Sequence, residues 1–161
     1  MRAVIQRVSE AQVSVDGAET AAMGSGLLVL LAAGQGDSEK EVAWMADKII
    51  NLRIFPDAQG KMNRSLLEMQ GEMIVVSQFT LYGDCRKGRR PSFVHALEPG
   101  AAEDLCNRFV ERVRAAGIQC GTGVFKAHMQ VSLTNDGPVT LLVDSSVSRR
   151  SGRNGFSDSP A

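Results

Sequence analysis

Three short segments of this 161-residue chain bring together groups able to do chemistry. Ser77-Gln78-Phe79-Thr80-Leu81 closes an apolar stretch with two hydroxyls and a carboxamide. Such groups, with the backbone amides between them, can face a developing oxyanion. The plainer reading is a polar strand end. Arg86, Lys87, Arg89 and Arg90 surround Gly88 and are flanked by Tyr82 and Phe93. A basic, glycine-containing loop beside aromatic rings can track a phosphate backbone and stack a base. A charge run of this kind also suits a solvated loop. The third segment is Asn135-Asp136-Gly137-Pro138-Val139-Thr140. Glycine adopts backbone angles that other residues avoid, and proline lacks an amide donor. Together they can point bare carbonyl oxygens away from a sheet. Asp-Gly between two alternating segments is equally a hairpin signal.

Other chemistries find no support. The chain has no Gly-x-Ser-x-Gly elbow, no P-loop and no His-Glu-x-x-His. Gly34-x-Gly36 lacks the third glycine of a dinucleotide fingerprint and reads as a strand-to-helix loop. His95 and His128 stand in no recognisable catalytic setting. Cys85, Cys106 and Cys120 form no Cys-x-x-Cys, so neither a structural metal site nor a cofactor is expected. This cysteine usage suits a reducing compartment. Eighteen basic and eighteen acidic residues cancel, so charge-driven binding must come from a local patch. The longest apolar run, residues 27–33, is too short to span a bilayer. A soluble, cytoplasmic protein with no membrane contact is expected.

The elements that must position these segments follow from periodicity. Ala11, Val13 and Val15 alternate with polar residues ahead of Gly17, as a half-buried strand does. Residues 4–8 belong to that strand or one joined to it. Residues 27–33 read as a strand buried on both faces. Ser38 and Glu41 form a capping box ahead of the stripe Val42, Met45, Ile49 and Leu52. Residues 73–76 form a short strand leading into Ser77. A second helix is expected after Pro99-Gly100, with Glu103 and Asp104 in its first turn and Gly117 at its end. Residues 118–120 are expected as a short strand. Alternation in 129–134 and again in 139–144 predicts a terminal hairpin. The expected class is α+β: a single domain over 1–144, with mixed or antiparallel, barrel-like sheets and two main helices. Residues 145–161, rich in Ser, Arg and Gly, are expected to form a disordered tail.

Taken together, the three segments and the opening Met1-Arg2-Ala3-Val4-Ile5-Gln6-Arg7-Val8 resemble the D-aminoacyl-tRNA deacylase family. The likeness spans residues 1–144. It implies hydrolysis of the ester joining a D-amino acid to the 3′-terminal adenosine of tRNA. It also implies a homodimer with active sites at the subunit interface. Gly137-Pro138, joined by a cis bond, reaches into the partner's site. Ser77, Gln78, Phe79 and Thr80 line the receiving pocket, and Arg7 holds the Gly-Pro loop. The basic loop itself leads us to expect Arg86, Lys87, Arg89 and Arg90 to contact the tRNA. In that arrangement, backbone carbonyls hold the substrate α-ammonium and collide with the Cβ of an L-amino acid. Glycine, which lacks Cβ, would pass. Two accounts of catalysis stand. Thr80 is a nucleophile without an evident base, or the Phe79 amide stabilises the oxyanion while the ribose 2′-hydroxyl activates water. The alternative functions are a non-catalytic RNA-binding module using residues 86–90 and a hydrolase using His95 or His128.

Overall fold

The computed structural model describes residues 1–146. In chain order the elements begin β1 (Arg2–Val15), β2 (Ala18–Met23), β3 (Gly26–Ala32) and α1 (Glu39–Ile50). Then come β4 (Phe55–Pro56), β5 (Met62–Arg64), α2 (Leu66–Met69) and β6 (Glu72–Ser77). A 3-10 turn (Phe79–Tyr82), α3 (Pro99–Ala115), β7 (Cys120–Thr122) and β8 (Met129–Asp144) complete the chain.

β1 is the spine. One of its edges carries β3 along the first half and β2 along the second, both antiparallel. β8 runs antiparallel down the other edge, from Arg2 opposite Asp144 to Val15 opposite Met129. β6 adds parallel to β3 and β7 parallel to β6, giving the order β2-β1-β3-β6-β7. β2 curls back until a Cβ on Gly121 of β7 would lie 3.0 Å from the Ala21 Cβ. The mixed sheet is therefore a nearly closed barrel. α1 and α3 cover one face, where Ile5, Leu31, Met45, Ile49 and Phe109 are fully buried. The other face buries Val8, Val13, Leu28 and Ile74. β3 thus has side chains in both cores, as its unbroken apolar run requires.

The structure corrects several expectations. The terminal hairpin does not exist. Both flanks of Asn135-Thr140 pair with the same strand: Asn135 lies opposite Val8 and Thr140 opposite Gln6. β8 is one long strand from which residues 136–139 loop out. Pairing both flanks to the long, otherwise open edge of β1 satisfies more backbone than folding them on each other. α3 begins at Pro99, two residues early, because the Glu98 carboxylate accepts from the Gly100 and Ala101 amides. Glu103 and Asp104 therefore fall in the second turn. A third helix, α2, was not anticipated, although Ser65 and Glu68 form a full capping box. The tail boundary also moves. Ser145 is 1 % exposed and its amide donates to the Met1 carbonyl at 2.9 Å. Residues 147–161, the rest of the expected tail, lie outside the described residues.

Candidate active site

Ser77 ends β6 opposite Leu31, and the Gln78 amide donates to the Leu31 carbonyl at 2.8 Å. The chain then winds into the 3-10 turn, whose first bond runs from the Leu81 amide to the Gln78 carbonyl at 3.2 Å. The Phe79 and Thr80 amides precede that bond and have no acceptor within the turn. Thr80 is exposed, and its Oγ1 accepts from Gln78 Nε2 at 2.5 Å. Phe79 is 58 % exposed, and its ring meets Phe93 edge-on, with centroids 5.1 Å apart.

Arg2 supports this turn from behind. Its Nη1 donates to the Leu81 carbonyl at 3.0 Å, and its guanidinium lies 4.5 Å from the Tyr82 ring centroid. Its Nε pairs with Asp144 at 2.9 Å. Tyr82 donates to Asp37 at 3.2 Å, and burial followed by the Asp37 charge pushes its phenol well above the ordinary range. Gly34 permits this packing, since a Cβ there would come within 2.3 Å of the Tyr82 ring. Sequence reasoning gave Arg2 no role and read Tyr82 only as an aromatic flanking the basic loop, whereas its ring packs on Arg2 and its hydroxyl bonds Asp37. The only available signal was that both adjoin segments already singled out.

Beneath the turn lies a cavity of about 480 Å³. Ser77, Gln78 and Phe79 form part of one wall, and Phe125, Lys126 and His128 part of another. The cavity lining includes Cys106 of α3, whose thiol burial pushes up to about 11. It is therefore protonated and inert near neutral pH. His95 is exposed, and its carbonyl accepts from the Gln35 amide at 3.0 Å. His128 is exposed at the cavity wall, with no side-chain hydrogen bond to Thr80.

The loop 136–139 is built from its base outward. Asn135 Nδ2 donates to Gln6 Oε1 at 2.9 Å and to Thr140 Oγ1 at 3.0 Å. Asn135 Oδ1 accepts from the Val139 amide at 2.8 Å, closing the neck. Arg7, 9 % exposed, fills the gap in β1 opposite the loop. Its Nε lies 3.1 Å from both the carbonyl and the carboxylate of Asp136, and its Nη1 donates to the Ile54 carbonyl. The Gly137–Pro138 bond is cis, and Gly137 has φ +128°. Both residues are exposed, and neither lines the cavity of its own chain. The structure thus brings Ser77, Gln78 and Phe79 together at one site and Arg7, Gly137 and Pro138 at another.

The basic segment forms an exposed loop closed by an Asp84–Ser92 pairing. Arg86 is bidentate on Asp84, at 2.8 and 2.6 Å, and holds that carboxyl well below its usual range. Lys87, Arg89 and Arg90 make no ion pair among the described residues. No group of three or more potential metal ligands occurs among the described residues. No helix there is long and apolar enough to cross a membrane.

Comparison with known proteins decides the family. The model of the D-Tyr-tRNA(Tyr) deacylase family matches residues 4–144. The chain belongs to the D-aminoacyl-tRNA deacylase family. It is 59 % identical to the D-aminoacyl-tRNA deacylase of Myxococcus xanthus, covering 90 % of this chain and 95 % of that one. It is 55 % identical to the D-aminoacyl-tRNA deacylase of Desulfitobacterium hafniense, covering 90 % and 97 %. A solved structure titled c-Myc DNA Unwinding Element Binding Protein is 42 % identical with a TM-score of 0.85, covering 90 % of this chain and 99 % of that one. A probable eukaryotic D-amino acid tRNA deacylase, 17 % identical with a TM-score of 0.76, shares the fold. It covers 88 % of this chain and 97 % of its own.

Proposed function

We propose that this deacylase family member hydrolyses the ester of D-aminoacyl-tRNA and rejects L-substrates by backbone exclusion. The observation that carries the reading is the tethered loop 136–139. Its tip is exposed, its root is fixed by Arg7 and Asn135, and it stands apart from the cavity beside Ser77, Gln78 and Phe79. A tip that cannot line its own pocket is free to enter a second copy's pocket. In this reading the functional unit is a homodimer with sites at the interface. There the Gly137 and Pro138 carbonyls accept from the substrate α-ammonium. With ammonium and ester both fixed, an L side chain drives its Cβ into the carbonyls while a D side chain points to solvent. Glycyl-tRNA is then also accepted. Three free thiols support a reducing compartment such as the cytoplasm.

Catalysis falls to the pocket backbone. The Phe79 amide faces the oxyanion, and the ribose 2′-hydroxyl assists water. Among the described residues the Thr80 hydroxyl bonds only the Gln78 amide group, which is no base. Thr80→Val is accordingly expected to lower kcat less than about tenfold, whereas loss of a nucleophile would cost about 10³-fold or more. Single-turnover release of D-tyrosine distinguishes the two. The reading as a whole is tested by deacylation of D-Tyr-tRNA against L-Tyr-tRNA. Equal rates on the two would defeat it.

A second reading, a non-catalytic RNA-binding module, is favoured by the unpaired Lys87, Arg89 and Arg90 and by the structural relative titled as a DNA-element binder. Both readings expect the triple Gln variant at these positions to weaken tRNA binding. The slope of log affinity against log salt should fall by about 2–3. Binding without turnover would select the module.

A further inference from the structure

Lys126 occupies a backbone position that ordinarily belongs to glycine. The turn 124–127 is closed by the Ala127 amide donating to the Val124 carbonyl at 3.2 Å, and Lys126 at its third position has φ +62°. A residue with a Cβ is disfavoured there by about 1–2 kcal/mol. A lysine in this place calls for a reason beyond the turn. Its location supplies one. Lys126 lines the cavity already described, and it is the only lysine or arginine among the described residues that do so. Its side chain is exposed and makes no ion pair within 4 Å among the described residues. Glu98 feels its charge, but the Glu98 oxygens already accept from the Gly100 and Ala101 amides at 3.1 and 2.6 Å.

The deacylase reading places an aminoacylated terminal nucleoside in this cavity. Leu31, Val76, Phe125 and Met129 make the lining mostly apolar. A base and ribose can enter such a space, but a phosphodiester cannot leave water without a partner. The phosphate on the 5′ side of the terminal nucleoside must therefore stay at the rim. We propose that Lys126 is a substrate-binding residue that pairs with this 5′ phosphate. A flexible ammonium suits a phosphate approached from solvent, and the φ > 0 turn carries it at the cavity wall.

The inference rests on the deacylase reading, and the test separates the two. The substrates are 3′-O-D-tyrosyl-adenosine, its 5′-monophosphate and D-Tyr-tRNA. The wild-type protein is expected to prefer the 5′-monophosphate over the plain nucleoside by about fivefold in kcat/KM at low salt. In Lys126→Gly that preference should fall to near one. Glycine suits φ +62°, so folding is not at risk. Lys126→Arg should retain the preference. On D-Tyr-tRNA, Lys126→Gly should raise KM rather than lower kcat and reduce the salt slope by about 0.7. An unchanged preference or salt slope in Lys126→Gly overturns the inference and leaves the deacylase reading standing. Failure of the wild type to release D-tyrosine from all three substrates overturns both.

Discussion

Gly137→Ala is expected to lower kcat/KM on D-Tyr-tRNA by about 10²-fold or more, because misplacement of a positioning group by about 1 Å has effects of that size. The argument is local. At φ +128° an L side chain is strained whatever the space around it. There is also no space. A Cβ would lie 2.9 Å from Arg7 Nη2, 2.9 Å from Val139 Cγ2 and 3.1 Å from the Val139 amide nitrogen. The Val139 amide is the group that Asn135 holds to close the loop neck. Relief must therefore come from moving the tip or the arginine behind it. Both change where the two carbonyls stand. The barrel does not depend on the tip, so cooperative unfolding in urea should persist. Activity should fall far more than stability does.

Arg7→Ala is expected to act on both. Deleting the guanidinium leaves the Ile54 carbonyl without its donor and removes the tether of Asp136. Losing hydrogen bonds from a buried charged group costs about 1.5–3 kcal/mol, and the Asp136 carboxylate adds little because it is half exposed. The functional consequence is larger. Under the proposed exclusion mechanism, an untethered loop would sample positions in which the Cβ of an L-substrate no longer meets the carbonyls. Discrimination between D- and L-Tyr-tRNA should then drop by about tenfold or more. Arg7→Lys should not restore it. One ammonium cannot reach Asp136 and Ile54 in the directions a planar guanidinium does. The kcat/KM ratio for the two enantiomers, with a urea midpoint, checks both halves. A retained ratio in a destabilised protein would make Arg7 purely structural.

What was legible in the sequence depended on range. Much of β1, β3 and β6, the Ser38–Glu41 cap and the helix after Glu98 are local patterns, and they form where the sequence places them to within a few residues. The Ser77–Thr80 and Asn135–Thr140 segments were visible as unusual chemistry on strand-like flanks. Their geometry was not. Asp-Gly between two alternating runs predicts a hairpin, and only the competing edge of β1 turns it into an outlooped strand. No local signal reports that competition. The roles of Arg2, Tyr82 and Asn135 depend on contacts between residues far apart in the chain. Lys126 was invisible for another reason. Lysine in sequence says nothing of a positive φ.

The central claim is that one chain's loop completes another chain's pocket, and mixed dimers test it most directly. Phe79→Pro removes the proposed oxyanion amide, and Gly137→Ala displaces the loop. Each homodimer alone should be nearly inactive. Co-refolded in equal amounts with distinct tags, half of the dimers carry one intact loop facing one intact pocket. Activity on D-Tyr-tRNA should return to about a quarter of the wild-type value, as expected for a two-fold dimer. Mixed dimers that form yet stay inactive would contradict the account.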